Sequence, residues 1–158
     1  MTRTGVRAAT LLRSAALGAA TGARSSAGIA ALAFTSRPAD AGRIASVLGS
    51  RRGRLVAAVM GAGELVADKL PVTPGRTGLP GLAPRVALGA VAAAGLAGRE
   101  GARPALPALV GLGTAIATAF LGERLRGVAA GRFGSDLPGA VTEDACAALL
   151  GLSGARRG

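Results

Sequence analysis

The 158-residue sequence contains no His, Trp, Tyr, Asn or Gln, and it has a single cysteine, Cys146. Without His, a zinc or haem site that depends on imidazole is excluded, as are Ser-His-Asp and Cys-His catalytic groups. One cysteine excludes an internal disulfide, and we interpret Cys146 as a small packing residue of an apolar helix. The sequence therefore gives no support to an enzyme, and it predicts no cofactor.

Acidic and aromatic residues are also scarce. Eight Asp and Glu stand against 19 Lys and Arg, which gives a formal charge of +11, and only 2% of the residues are aromatic. Half of the chain is hydrophobic, and most of that half is Ala, Leu and Val. Alanine buries little area in a soluble core, whereas small residues let helices approach closely in lipid. We therefore predict an all-α, polytopic membrane helix bundle with Gly/Ala-rich packing.

Runs of residues with few charges predict about five helices. The runs cover 14–34, 55–70, 86–98, 104–122 and 145–155. Only the fourth reaches the roughly 18 apolar residues of a spanning helix by itself, and the first reaches that length if Arg24 is tolerated within it. The remaining helices are expected to be short or broken.

Proline marks the predicted helix boundaries. Arg37-Pro38 ends the first helix, because the residue before proline is disfavoured in a helix. Pro84 follows a proline-rich connector and is placed as the first residue of the third helix. Ser135-Asp136-Leu137-Pro138 is typical of a helix start and begins the last helix. Between the first two helices, the basic stretch 41–54 is expected to lie along the membrane surface.

The predicted organisation is a single membrane domain over residues 14–153, between basic tails at 1–13 and 154–158. Its expected location is the bacterial cytoplasmic (inner) membrane, crossed several times, with the lipid bilayer as its partner. If five helices cross, nine Lys and Arg fall on each side, so the positive-inside rule predicts no orientation. The spacing Gly18-x-x-x-Gly22 leaves two alternatives, a homodimer face or packing inside the chain.

Glu64 and Asp68 are the most informative ionisable pair. They are four residues apart, so they share one helical face, and Lys69 lies about 100° around that helix. An ionisable group at membrane depth costs about 2.5–3.5 kcal/mol on insertion scales, so such groups usually pair or line a path. Three interpretations stay open: solvated headgroup-level carboxylates, a buried ion-pair network, or a site for a cation or proton. In the last case Arg24, Lys69 and Arg85 would supply the counter-charges.

Glu143 and Asp144 form the second acidic pair, which we expect in the first turn of the last helix. Acids in a first turn interact favourably with the helix dipole and need no further function. The alternative places Glu143 against Arg24 or Arg85 in the interior. Arg24 itself either extends to an interface or pairs with Glu64 or Asp68.

Several of these elements together resemble a known family. They are Gly22-Ala-Arg24-Ser25, the Glu64-x-x-x-Asp68-Lys69-x-Pro71 element, Arg85 at the start of a Gly/Ala-rich helix, and Glu143-Asp144. Over residues 14–153 the chain resembles the small bacterial integral membrane proteins of the domain-of-unknown-function 4126 family. The resemblance implies a membrane location, and it implies no activity.

Three functions follow as hypotheses. The first is a small transporter or permeation-like protein that uses the carboxylate and basic residues for a cation or proton. The alternative is a non-catalytic structural or interaction membrane protein, in which the same charges only fix helix packing. The second alternative is a soluble, basic nucleic-acid binder. Because the arginines are spread over all loops and lack an aromatic platform, we expect no nucleic-acid partner.

Overall fold

The computed structural model of the protein describes residues 6–67, 77–133 and 137–157. These residues form seven helices and no strand, so the predicted all-α class is confirmed. In chain order the helices are α1 (Ala8–Ala23), α2 (Ala27–Thr35), α3 (Arg43–Leu48), α4 (Arg51–Ala67), α5 (Leu79–Arg99), α6 (Ala105–Phe133) and α7 (Leu137–Ala155).

The first predicted helix is divided in two. The helix expected over 14–34 breaks at Arg24, whose backbone is extended (φ −133°, ψ 120°). After the break α2 runs back along α1, since a Cβ on Gly28 would lie 2.7 Å from the carbonyl oxygen of Leu17, eleven residues earlier. The prediction of one continuous helix was therefore wrong. Its far end was placed correctly, because α2 ends at Thr35, just before Pro38.

The helix starts also differ from several predictions. Pro80 lies in the first turn of α5, and Pro84, the predicted first residue, lies inside the helix. The first-turn N–H groups need no helical partner, so Pro80 begins the helix without losing a hydrogen bond. The basic stretch 41–54 contains only the six-residue α3 and then the start of α4. There Ser50 caps α4, because its hydroxyl oxygen accepts the N–H of Gly53 at 3.0 Å.

The outer ends of the bundle extend beyond the predicted domain. α1 begins at Ala8, six residues inside the predicted N-terminal tail, and α7 continues to Ala155. Among the described residues, two segments are long and apolar enough to cross a membrane, namely Leu79–Arg99 and Ala105–Arg132. The predicted five-span bundle is therefore not confirmed by helix length and composition.

Helix α1 lies at the centre of the bundle and packs against α2, α5, α6 and α7. Glycines bring α1 and α6 together: a Cβ on Gly18 would lie 2.7 Å from the Cα of Gly111, and one on Gly22 would lie 2.9 Å from the Cβ of Thr118. Gly18 and Gly22 thus face α6 of the same chain. Of the two alternatives for this spacing, the structure shows packing inside the chain.

Large and small apolar residues are distributed in an unusual way. Among the residues whose burial the structure describes, seventeen hydrophobic residues are buried. Thirteen of them are alanine, and the four large ones are Leu17, Ile29, Leu32 and Leu96. In the same part of the chain, twenty large hydrophobic side chains are exposed, and they are distributed over all seven helices. The interior is close-packed alanine and glycine, and the outside carries most of the Leu, Val and Phe.

Charged residues collect at the two ends of the bundle. One end, here called the arginine-rich end, comprises residues 6–17, 35–54, 99–104 and 155–157. Arg13 joins α1 to α5 through Glu100 at 2.7 Å. Arg99 donates to the carbonyl oxygen of Ala155 at 2.7 Å, which joins α5 to α7.

The opposite end is here called the ion-pair end. It comprises residues 22–28, 62–67, 77–86, 120–133 and 137–146. Arg85 and Arg99 lie on the same helix and are fourteen residues apart, so the two ends are separated by about 21 Å.

Candidate functional site

The break between α1 and α2 builds the centre of the ion-pair end. Arg24, Ser25 and Ser26 connect the last turn of α1 to the first turn of α2, and the N–H of Ala27 donates to the carbonyl oxygen of Arg24 at 2.9 Å. At the break, the N–H groups of Ser25 and Ser26 have no helical partner. Because the break is buried in the bundle, these groups need an acceptor from elsewhere in the protein.

Glu64 supplies that acceptor from the last turns of α4. Its Oε1 accepts the N–H and the hydroxyl of Ser25 at 2.7 and 2.8 Å. Its Oε2 accepts the N–H and the hydroxyl of Ser26 at 3.0 and 2.6 Å. A carboxylate at a helix N-terminus is also favoured by the helix dipole. Glu64 therefore holds the two residues that precede α2 and ties α4 to the break.

Arg85 brings α5 to the same carboxylate. Its Nη2 lies 3.9 Å from Oε1 of Glu64, and its Nη1 donates to the carbonyl oxygen of Gly81 at 2.6 Å. The side chains of Arg85 and Glu64 are 8% and 11% exposed, so this pair is largely shielded from solvent. A shielded carboxylate needs a counter-charge, and Arg85 provides it.

Arg24 pairs with Asp144 of α7. Its Nε and Nη2 donate to the two carboxylate oxygens of Asp144 at 2.5 and 2.9 Å, a bidentate arrangement. Such forked pairs hold both partners in one orientation. The contact fixes the end of α1 against α7. The sequence suggested Glu64 or Asp68 as the partner of Arg24, and the acid in this bidentate pair is Asp144.

Glu143 lies beside Asp144 and faces α6. Its Oε2 is 3.6 Å from Nη1 of Arg126, and a Cβ on Gly122 would lie 2.7 Å from its Oε1. Since α7 begins at Leu137, both acids lie in the second turn, and their predicted place in the first turn was wrong. Their ion pairs connect α7 with α1 and α6.

Five of the seven predicted site residues thus come together at one end of the bundle: Arg24, Glu64, Arg85, Glu143 and Asp144. The other two, Asp68 and Lys69, lie outside the described residues.

Sequence reasoning missed three members of the cluster. Ser25 and Ser26 hold the Glu64 carboxylate, and Arg126 pairs with Glu143. The Ser25-Ser26 dipeptide was a usable signal, since serine side chains compete with helical hydrogen bonds and favour helix starts. No spacing rule could have found Arg126, because its contact depends on how α6 lies against α7.

The six charged residues of the cluster are balanced. Arg24, Arg85 and Arg126 carry three positive charges, and Glu64, Glu143 and Asp144 carry three negative charges. Within the described parts of the chain, no group of three His, Cys, Asp or Glu is arranged to hold a metal ion. The arrangement is suited to joining helix ends by charge-assisted hydrogen bonds.

Comparisons with known proteins add no relative. No protein-family model, curated protein or solved structure matches the chain. Membership of the domain-of-unknown-function 4126 family therefore stays a prediction, based on the residues quoted for it above.

Proposed function

We propose that the chain is a multi-pass integral membrane protein whose ion-pair end fixes helix packing, with a structural or interaction role rather than catalysis. The observation that carries the proposal is the balanced cluster. Each of its three carboxylates contacts an arginine from another segment of the bundle, and Glu64 also accepts four hydrogen bonds. Charges that neutralise one another in this way lower the cost of placing each of them at membrane depth.

The exposed apolar surface supports the membrane location. A soluble monomer rarely exposes large contiguous apolar patches, whereas Leu, Val and Phe on the outside of a bundle are favourable in lipid. The short helices are compatible with this location, because irregular backbone at membrane depth is tolerated where it is buried in protein. The α1–α2 break meets that condition, because Glu64 accepts the N–H groups of Ser25 and Ser26 inside the bundle.

Transport of a cation or proton is the second candidate, and the broken helix favours it. In many transporters, interrupted helices meet near the bilayer midplane and place their ends at the ion site. Here two helix ends and a carboxylate meet at Arg24–Ser26. The packing role and the transport role predict different results for a Glu64 variant. The packing role predicts lower stability and no flux in the wild type, whereas the transport role predicts a wild-type flux that the variant loses.

The test compares Glu64→Gln with the wild type. Glutamine keeps the shape but places an amide nitrogen against serine N–H and hydroxyl donors, so we expect the free energy of unfolding to fall by about 2–3 kcal/mol. Unfolding is measured by melting in a mild detergent. The matched control is Glu123→Gln, because Glu123 is an exposed carboxylate near the same end.

The same proteins are reconstituted in vesicles that contain a pH-sensitive dye and carry an imposed ion gradient. For a packing role, wild-type vesicles show no ion-dependent proton or cation flux above that of empty vesicles. A wild-type flux that Glu64→Gln abolishes and Glu123→Gln retains would overturn the packing role and establish transport.

A further inference from the structure

Positive charge is distributed very unequally between the two ends of the bundle. Among the described residues, the arginine-rich end holds eleven arginines and two carboxylates, a net charge of +9. The ion-pair end holds five arginines and four carboxylates, a net charge of +1. The sequence-based count of nine basic residues on each side therefore does not describe this fold.

The α1–α2 break is the reason for the difference. A single first helix would place residues 37–54 on the side opposite to the N-terminus. Because α2 runs back along α1, both Arg13 and the 37–54 segment lie at the arginine-rich end. Two hydrogen bonds at the end of α5 show this directly. Arg99 donates to the hydroxyl of Thr35 at 3.1 Å, and the neighbouring Glu100 accepts from Arg13 at 2.7 Å.

The later helices keep the same alternation. α4 leads from the arginine-rich end to Glu64, α5 returns to Arg99, α6 leads back to Arg126, and α7 returns to Arg156. The chain thus runs between the two ends six times, against five in the sequence-based prediction, so both termini of the described residues lie at one end.

Within the described residues, most arginines at this end form no ion pair with a carboxylate. Its two described carboxylates are already engaged, Glu100 with Arg13 and Asp40 with Arg157, in both cases near 2.7 Å. Further exposed guanidinium groups belong to Arg37, Arg43, Arg51, Arg52, Arg103 and Arg156. They form a cationic surface around the helix ends that meet there.

We infer that the arginine-rich end faces the cytoplasm and that its exposed arginines bind the anionic phospholipid headgroups of the cytoplasmic leaflet. The inference rests on the proposed membrane location. Short loops rich in Lys and Arg stay on the cytoplasmic side, and that leaflet carries a negative surface potential. Guanidinium groups also suit phosphate, because their planar fork donates two parallel hydrogen bonds.

Orientation is tested with two single-cysteine reporters in a Cys146→Ala background. Ala41→Cys lies at the arginine-rich end and Ala130→Cys at the ion-pair end, and both alanines are exposed. In spheroplasts, a membrane-impermeant maleimide is expected to label Ala130→Cys, and to label Ala41→Cys only after lysis. Labelling of Ala41→Cys in intact spheroplasts would overturn the inference.

Headgroup binding is tested by titrating the detergent-solubilised protein with phosphatidylglycerol and following the rise in melting temperature. Removing one surface arginine is expected to weaken lipid binding about fivefold, so Arg51→Gln/Arg52→Gln should need about 25 times more phosphatidylglycerol. The control is Arg124→Gln/Arg132→Gln, in which two exposed arginines of the ion-pair end are removed. Phosphatidylcholine and inorganic phosphate serve as further probes.

The expected result is stabilisation by phosphatidylglycerol alone, shifted to about 25 times higher lipid concentration in the first double variant and unchanged in the second. Equal losses in both variants, or equal stabilisation by inorganic phosphate, would contradict a headgroup site at the arginine-rich end. If the proposed membrane location is wrong, the wild type is recovered in the aqueous fraction before either assay begins. That result differs from every outcome of the orientation and lipid-binding assays.

Discussion

Individual charged residues in this protein act by completing helix ends. Glu64 accepts the N–H groups of the break just before α2. At the opposite end, Arg99 donates to the carbonyl oxygen of Ala155 at the end of α7. Orphan N–H groups at a helix start and orphan carbonyl groups at a helix end both need such partners. The same residues would look like an ion pathway if only their charge were considered.

Asp40 gives a residue-scale prediction that depends on pH. Its carboxylate accepts the N–H of Arg37 at 2.8 Å and the guanidinium of Arg157 at 2.6 Å. Burial alone would raise the pKa of Asp40, but these hydrogen bonds outweigh it, and the pKa lies below the ordinary value of 3.8. A lowered folded-state pKa stabilises the protein above the ordinary value, and this stabilisation disappears as pH falls through the folded-state pKa.

Asp40→Asn should therefore be less stable than the wild type at pH 7, by no more than about 1 kcal/mol, because Arg157 is 40% exposed. The difference should shrink as the pH falls below about 3.8. Melting temperatures of both proteins between pH 7 and pH 3 check this. A difference that stays constant over the whole range would contradict the role given to the carboxylate.

Glycine pairs determine how closely α1 approaches the neighbouring helices. Gly18→Ala would place a Cβ 2.7 Å from the Cα of Gly111, and the backbone of α6 cannot move away without disturbing α5. Overpacking of this kind costs about 1–3 kcal/mol. We expect a lower melting temperature in detergent.

The matched control is Gly113→Ala, since a Cβ there meets nothing within 4 Å. It should leave stability unchanged or raise it by up to about 1 kcal/mol through helix propensity. Equal losses in both variants would mean that the α1–α6 contact is not close-packed.

The sequence predicted the end of α2 but not the turn within the first helix. Pro38 marks the end of α2 correctly, because proline acts through local sterics that need no tertiary context. At Arg24-Ser25-Ser26 no proline or glycine interrupts the run, and the break depends on Glu64, 39 residues away along the chain from Ser25. Local sequence patterns cannot predict a helix break that is stabilised by a carboxylate of a distant helix.

The candidate site was predictable to a similar extent. Ionisable residues in apolar runs identified Arg24, Glu64, Arg85 and the Glu143-Asp144 pair, since their desolvation cost makes such positions exceptional. Which acid pairs with which arginine depends on how the helices are arranged. For that reason the Arg24–Asp144 pair was not foreseen.

At the scale of the whole molecule, the distribution of side-chain size is the main evidence for lipid as the solvent. The three largest fully buried side chains are Leu17, Leu32 and Leu96, whereas Leu79 is 83% exposed and Leu149 is 69% exposed. A water-soluble bundle would place the large side chains inside, because hydrophobic stabilisation grows with buried area. In lipid that driving force is absent, and small residues in the interior are favoured.

Alkaline carbonate extraction of membranes from cells that express the chain tests the central claim most directly. The account predicts that the chain stays in the membrane pellet after the wash and enters solution only with detergent. Recovery in the carbonate supernatant, as a compact monomer that stays dissolved without detergent, would contradict it.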